Sequence, residues 1–190
     1  MTLDNYIAIP TPARVGRIIL LHGASSAGKS TLARAIQRLL DEPFLIFASD
    51  YFALGLPERR DTEGAFQWWG NVRPRFFDGF HRCIATLAAA GADLIVDHII
   101  EFPEWRADLR RMLRPFDVFL VGVHCSLEEI ERRERLRGNR KFGEGRSHVE
   151  EDRIHDFGPY DCEVETTRQH PMDVALEIVQ RWRQRSVSVL

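Results

Sequence analysis

Gly23-Ala24-Ser25-Ser26-Ala27-Gly28-Lys29-Ser30, followed by Thr31, decides how the rest of the chain is read. The stretch fits G-x-x-x-x-G-K-[ST] at every fixed position, and its flanks have the context that this motif requires. Before it, Ile18–Leu21 is an aliphatic run bounded by Gly16 and Gly23, the pattern of a buried parallel strand. After it, Leu32, Ala35, Ile36, Leu39 and Leu40 fall on one face of a helix. Glycines let the backbone close around phosphate oxygens, while successive N–H groups and the helix N-terminus supply positive potential. On this reading residues 23–31 cradle a nucleotide, Lys29 reaches the β- and γ-phosphates, and the Ser30 hydroxyl ligates Mg2+.

Working outward, Pro43 ends the first helix and Phe44–Phe47 reads as a second strand. A helix is expected from Pro74 to near Gly91, with Phe76, Phe77, Phe80, Ile84 and Leu87 turned inward. Leu94–Val96 is a third strand, and Pro103–Leu113 a helix with proline in its first turn. Phe116–Val123 is a fourth strand, and Ser126-Leu127-Glu128-Glu129 a capping box opening the next helix. Cys162–Glu165 makes a fifth strand and Pro171–Arg185 a closing amphipathic helix. Strands alternating with helices mean an α/β protein with a mostly parallel sheet. Residues 1–16 read as an irregular lead-in, and 17–190 as one domain.

The 190 residues carry a formal charge of −2, which argues against a general nucleic-acid binder. The cations are lopsided, with 24 arginines against only Lys29 and Lys141. No run approaches the roughly 20 apolar residues of a membrane span, and the N-terminus does not read as a signal peptide. Cys83, Cys125 and Cys162 show no C-x-x-C spacing and read as reduced thiols, so a cytoplasmic location is expected. The histidines form no H-E-x-x-H pattern.

A phosphate loop alone specifies a ligand and no reaction, so the acids at neighbouring strand ends matter next. Asp50 follows the second strand by a few residues, where a carboxylate can take the proton of an attacking hydroxyl. Asp97 closes Leu94-Ile95-Val96-Asp97 in the manner of a Walker B acid and suits the metal. Asp50 is therefore assigned as base and Asp97 as metal acid, with an exchange of roles left open. Residues 132–146 hold Arg132, Arg133, Arg135, Arg137, Arg140, Arg146 and Lys141 against Glu134 and Glu144, a local charge of +5. Gly138, Gly143 and Gly145 fall within it, so residues 132–147 read as a mobile cationic lid. Arg132 and Arg135 fall one turn after acids and are expected to pair with them. Arg133, Arg137 and Arg140 share one helical face and are the candidates for phosphate contact.

These segments together resemble the chloramphenicol phosphotransferase family, within the small-molecule kinases of shikimate and adenylate kinase type. The resemblance runs over most of 17–180. It is carried by the phosphate loop, Phe47-Ala48-Ser49-Asp50, Ala90-Gly91-Ala92-Asp93-Leu94-Ile95-Val96-Asp97, Val121-Gly122-Val123-His124-Cys125, Arg133-Glu134 to Arg137-Gly138-Asn139-Arg140, and Tyr160-Asp161 to Glu165-Thr166-Thr167. It implies a three-layer P-loop NTPase fold with five strands and helices on both faces. It also implies ATP and Mg2+, transfer of the γ-phosphate to a hydroxyl, Asp50 as base, and Thr166, Thr167 and Arg168 near adenine. The position after Asp97, an acid in some members, is His98.

Residues 51–80 are the acceptor-side segment. Trp68 and Trp69, outside regular periodicity, suit a pocket or lid, whereas Phe76, Phe77 and Phe80 suit the core. The expected partner is a small-molecule hydroxyl acceptor, chloramphenicol or a related antibiotic among the candidates, with no nucleic acid and no membrane. A homo-oligomer is left open. A nucleoside, sugar or sugar nucleotide is the alternative acceptor. A regulatory module that binds nucleotide without transferring phosphate is the alternative class, although no N-K-x-D guanine motif is present.

Overall fold

The structure is a computed structural model that describes residues 12–53, 63–137 and 143–185, with side chains placed from Val72 onward in the second stretch. Its elements are β1 (Arg17–His22), α1 (Lys29–Leu39), β2 (Leu45–Ala48), α2 (Ser49–Phe52), α3 (Glu63–Ala89), β3 (Leu94–His98), α4 (Pro103–Leu113), β4 (Asp117–His124), α5 (Leu127–Arg137), α6 (Glu144–Glu150), β5 (Cys162–Glu165) and α7 (Pro171–Gln184). The five strands form one sheet in the order β2-β3-β1-β4-β5, and every pairing is parallel. Parallel strands need crossovers, and the helices supply them on both faces.

Alternation along β1 and β3 divides the core between those faces. Ile19, Leu21 and Ile95 pack with Leu32 and Ile36 of α1 and Val174 and Ile178 of α7. Ile18, Leu20, Leu94 and Val96 pack with Phe80 and Ile84 of α3 and Leu109 and Leu113 of α4. Burying each such side chain stabilises the fold by about 1.5–3 kcal/mol. Phe76 and Phe80 are core residues, and the half-exposed Phe52 leans on both rings.

The short helices α2 and α6 were not expected and strand ends shift by a residue or two, but the largest boundary difference from the sequence reading is in α3. The helix expected from Pro74 begins at Glu63, with Pro74 in its interior. Proline suits a first turn, so the sequence alone favours a start there. An interior proline loses one helical hydrogen bond and crowds the carbonyl four residues back, at a cost of about 3 kcal/mol, which the burial of Phe76, Phe80 and Ile84 just beyond it offsets. The far end is as read: Gly91, at φ 90°, takes the left-handed turn that stops α3.

At the amino end of the sheet Asp93 is buried under a clamp. Arg14 donates to it at 2.8 and 2.7 Å, Arg17 Nη2 at 2.7 Å and the Arg17 backbone N–H at 2.8 Å. Burial pushes its carboxyl upward, but the Arg14 and Arg17 hydrogen bonds outweigh this and hold it well below the usual carboxylate range. The carboxyl ends of the strands, on the opposite edge, carry the phosphate loop.

Candidate active site

The loop leaves β1 at Gly23, where a Cβ would meet the Val123 carbonyl oxygen at 2.3 Å, so only glycine fits. It enters α1 through Gly28, whose φ of 98° is again a glycine conformation. Between them Ser26 holds a left-handed φ of 62°, and among the described residues its buried hydroxyl has no hydrogen-bond partner. A strained residue with an orphan hydroxyl is what a ligand-free phosphate cradle should contain. Ala24, Ser25 and Ala27 complete the buried wall, and Thr31 opens the helix behind it. Buried Lys29 donates to the carbonyls of Gly23 and Ala24 at 2.9 and 2.8 Å.

Ser30 Oγ donates to Asp97 Oδ2 at 2.6 Å, and Lys29 Nζ stands 3.9 Å from Asp97 Oδ1. Asp97 lies within β3 and is exposed by only 7 %. Asp50 stands across from it in the first turn of α2, exposed to solvent. Ser25, Ser26, Gly28, Lys29, Ser30, Asp50, Asp97 and Arg137 line one narrow cleft of about 30 Å³. The hydroxyl–carboxylate pair fits Mg2+, which takes one or two protein oxygens and keeps several waters. Among the described residues no group of three or more metal-binding side chains exists, so a metal here would share its shell with phosphate and water.

The arginines sort as their spacing suggests. Arg132 pairs with Glu129, Arg135 with Glu131, and Arg146 with Glu131 and Glu150, all on the surface. Arg133 instead reaches inward. It donates to the Thr166 carbonyl at 2.6 Å and to the Ser26 carbonyl at 3.4 Å, while Glu129 holds its Nε at 2.8 Å. Arg137, one turn on, lines both the phosphate cleft and a neighbouring cleft of about 460 Å³. That second cleft also takes in Thr31, Leu136, Thr167 and Arg168, consistent with the expected side for a nucleotide base. The Thr167 hydroxyl accepts the Ser126 N–H at 2.8 Å, so the Ser126 amide finds its partner there and Glu129 turns to the arginines. Ser126 still caps the Glu129 N–H at 3.4 Å. Arg140, Lys141, Trp68 and Trp69 lie outside the residues whose side chains are described.

Sequence reasoning missed three supports. Glu134 is buried and accepts the N–H groups of Gly143 and Gly145 at 2.9 and 2.8 Å. A Cβ on Gly145 would meet Ser25 O at 2.7 Å, so this glycine serves close packing on the loop, where a mobile lid was expected. His148 Nδ1 accepts the Ser25 N–H at 3.3 Å. Thr166 donates through Oγ1 to the Ala27 carbonyl at 2.7 Å, tying the end of β5 to the loop. The contacts of Gly145 and His148 with Ser25 and of Thr166 with Ala27 join residues more than a hundred positions apart, while Glu134 reaches glycines 9 and 11 positions on, and no local pattern announces any of them.

Beneath the site runs a row of neutral histidines. His22 holds the Ile100 N–H on Nδ1 and the Ile154 carbonyl on Nε2, and burial pushes it down to about 3. His98 is its register neighbour on β3, fully buried, with Nε2 2.9 Å from His81 Nε2. It therefore faces α3 and takes no part in the phosphate cleft. Burial lowers His98 well below the usual imidazole value, His81 to about 4 and His155 to about 4.

A glycine-built anion loop, a hydroxyl–carboxylate pair and an inward arginine at the carboxyl edge of a 2-3-1-4-5 parallel sheet define a P-loop kinase. Solved structures share the fold. The Mycobacterium tuberculosis APS kinase CysC in complex with AMPPNP and APS aligns with a TM-score of 0.63 at 19% identity, covering 90% of this chain and 99% of its own. The Acinetobacter baumannii shikimate kinase in complex with shikimate aligns at 0.65 and 16% identity, over 91% and 96%. The Deinococcus radiodurans tunicamycin resistance protein aligns at 0.63 and 19%, over 88% and 95%. The profile of the family described as "Chloramphenicol phosphotransferase-like protein" matches residues 16–183, and this chain belongs to that family. A relative from Mycobacterium tuberculosis strain H37Rv, named "Putative O-phosphotransferase Rv2636", is 33% identical over 86% of this chain and 80% of its own length. Among the described residues no helix is long and apolar enough to cross a membrane.

Proposed function

We propose that this chain transfers the γ-phosphate of ATP to a hydroxyl of a small molecule, with Asp50 as general base. The observation that carries the reading is the single cleft in which Asp50 faces the Ser30–Asp97 pair and Lys29 across the phosphate loop. Asp97 is engaged by a hydroxyl and an ammonium, which suits the metal side, whereas Asp50 lies at the solvent-exposed side of the cleft, where an acceptor would enter. Ser30 and Asp97 would hold Mg2+, which would supply charge neutralisation for the leaving diphosphate.

The steps taken by the chain's own residues follow. The loop amides and Lys29 hold the β- and γ-phosphates, and Arg133 and Arg137 face them from α5. Asp50 orients the acceptor hydroxyl and takes its proton as the new O–P bond forms and the bond to the β–γ bridging oxygen breaks. Products are the phosphate monoester and ADP. Thr167 and Arg168 border the nucleoside. The family description puts chloramphenicol first among acceptors, and the relative's name supports an oxygen acceptor.

The test is a mass-spectrometric screen of hydroxyl acceptors with ATP and Mg2+, chloramphenicol first, then nucleosides, sugars and aminoglycosides, with Asp50→Asn as blank. A phosphorylated product absent from the blank is the expected result. Equal product from both proteins would remove Asp50 as base. Tight ATP binding with no product from any acceptor would count against transfer and favour a regulatory module.

A further inference from the structure

A cleft of about 570 Å³ shares no residue with the phosphate cleft. It lies between α4 and the segment leading into β5, and its floor is the middle of the sheet: Leu20 of β1 with Val118 and Leu120 of β4. Leu109 and Leu113 of α4 form one wall and Tyr160 the other. Ligand sites are commonly apolar cavities of this size with a few placed polar groups. Here the placed group is Arg106.

Arg106 reaches across the cavity mouth. It donates to the Pro159 carbonyl, and its guanidinium lies 5.4 Å from the centre of the Tyr160 ring. Among the described residues no carboxylate comes within ion-pair distance of it. Burial lowers its pKa, the reverse of what carboxylates do for Arg14 and Arg17. Arg110, one turn later on the same helix, is exposed at the rim. Asp161, the acid among the lining residues, spends Oδ2 on the Leu120 N–H at 2.8 Å. A partly desolvated guanidinium above a dry floor is completed by an anion that carries its own apolar body.

We infer that this cavity is a second ligand site, separate from the phosphate cleft, for an amphipathic organic carboxylate whose head meets Arg106 and Arg110 and whose apolar body covers Leu20, Val118 and Leu120. The inference does not depend on the phosphotransfer reading.

The experiment is amide NMR of the full 190-residue chain titrated with decanoate, and separately with decanamide, with and without ATP. Saturable shifts at Arg106, Leu120 and Asp161 that persist in ATP are expected, with decanamide binding about tenfold or more weakly. Arg106→Gln should weaken decanoate by a similar factor. Ala107→Trp fills the mouth from an exposed position and should abolish the shifts while leaving the rest of the spectrum native, so it decides the matter if Arg106→Gln fails to fold. Three results would overturn the site: no saturable shift, equal binding of decanamide, or shifts confined to the phosphate and nucleoside clefts that ATP displaces.

Discussion

Asp93 and Asp97 stand at the two ends of the same strand and meet opposite surroundings. Asp93, just before β3, receives two arginines and a backbone N–H, so its lone pairs are spent on the chain itself. Asp97 receives one serine hydroxyl and a lysine 3.9 Å away, leaving oxygen lone pairs for something the chain does not contain. Both are buried, so burial does not separate a structural acid from a functional one. Saturation does.

The largest effect should fall at the unsaturated end. Asp50→Asn, in the same cleft, is expected to reduce phosphoryl transfer about 10²–10⁴-fold while Tm moves little, because the change keeps side-chain size at an exposed position. Steady-state kinetics beside a thermal melt would check it, and a melt that collapsed with activity would break the contrast. At the saturated end Asp93→Asn should cost about 3 kcal/mol, since it strands two arginine contacts. Calorimetry should then show Tm lower by about 6–12 °C, with turnover per folded molecule unchanged.

Two neighbouring arginines sharpen the same distinction. Arg133→Ala removes a cation that bridges the phosphate loop and the end of β5, and transfer should fall about 10–100-fold. Arg132→Ala breaks an exposed pair with Glu129 and should leave both rate and Tm unchanged.

Acid should expose the histidine row before it touches the Asp93 clamp. His22, His81 and His155 sit at about 3, 4 and 4 when folded, against about 6.5 when unfolded. The unfolded chain therefore binds protons that the folded chain refuses. Stability is complete above pH 6.5 and declines as pH falls toward 4, which a Tm series in matched buffers would follow. His155→Phe should flatten that decline. The Asp93 carboxyl, depressed when folded, adds a further loss only below its unfolded value of about 3.9.

Much of this was legible along the chain. The strands announced themselves as aliphatic runs, and the loop motif, the strand-end positions of Asp50 and Asp97, and the inward turn of Arg133 followed from spacing, while Arg137 is exposed at the cleft and Arg140 lies outside the described residues. Pro74 misled because a proline fits a helix start better than a helix interior, and only packing far from it overrules that preference. Glu134 and His148 were unreadable for another reason. Glu134 looks like one acid among surface charges until Gly143 and Gly145 are brought to it, and His148 has no meaning before Ser25 is its neighbour.

The strand order has a consequence for how the molecule is born. β1 leaves the ribosome first, yet it is the middle strand, and its neighbours β3 and β4 arrive about seventy or more residues later. Closing such long loops delays pairing, so the segment after β1 waits unsupported while synthesis continues. Thr166, which ties that segment to the end of β5, follows Ala27 by 139 residues. A nascent chain halted just before β5 thus carries every phosphate-loop residue but lacks the tie that holds the loop to that strand, and nucleotide capture becomes a report that β5 has been added.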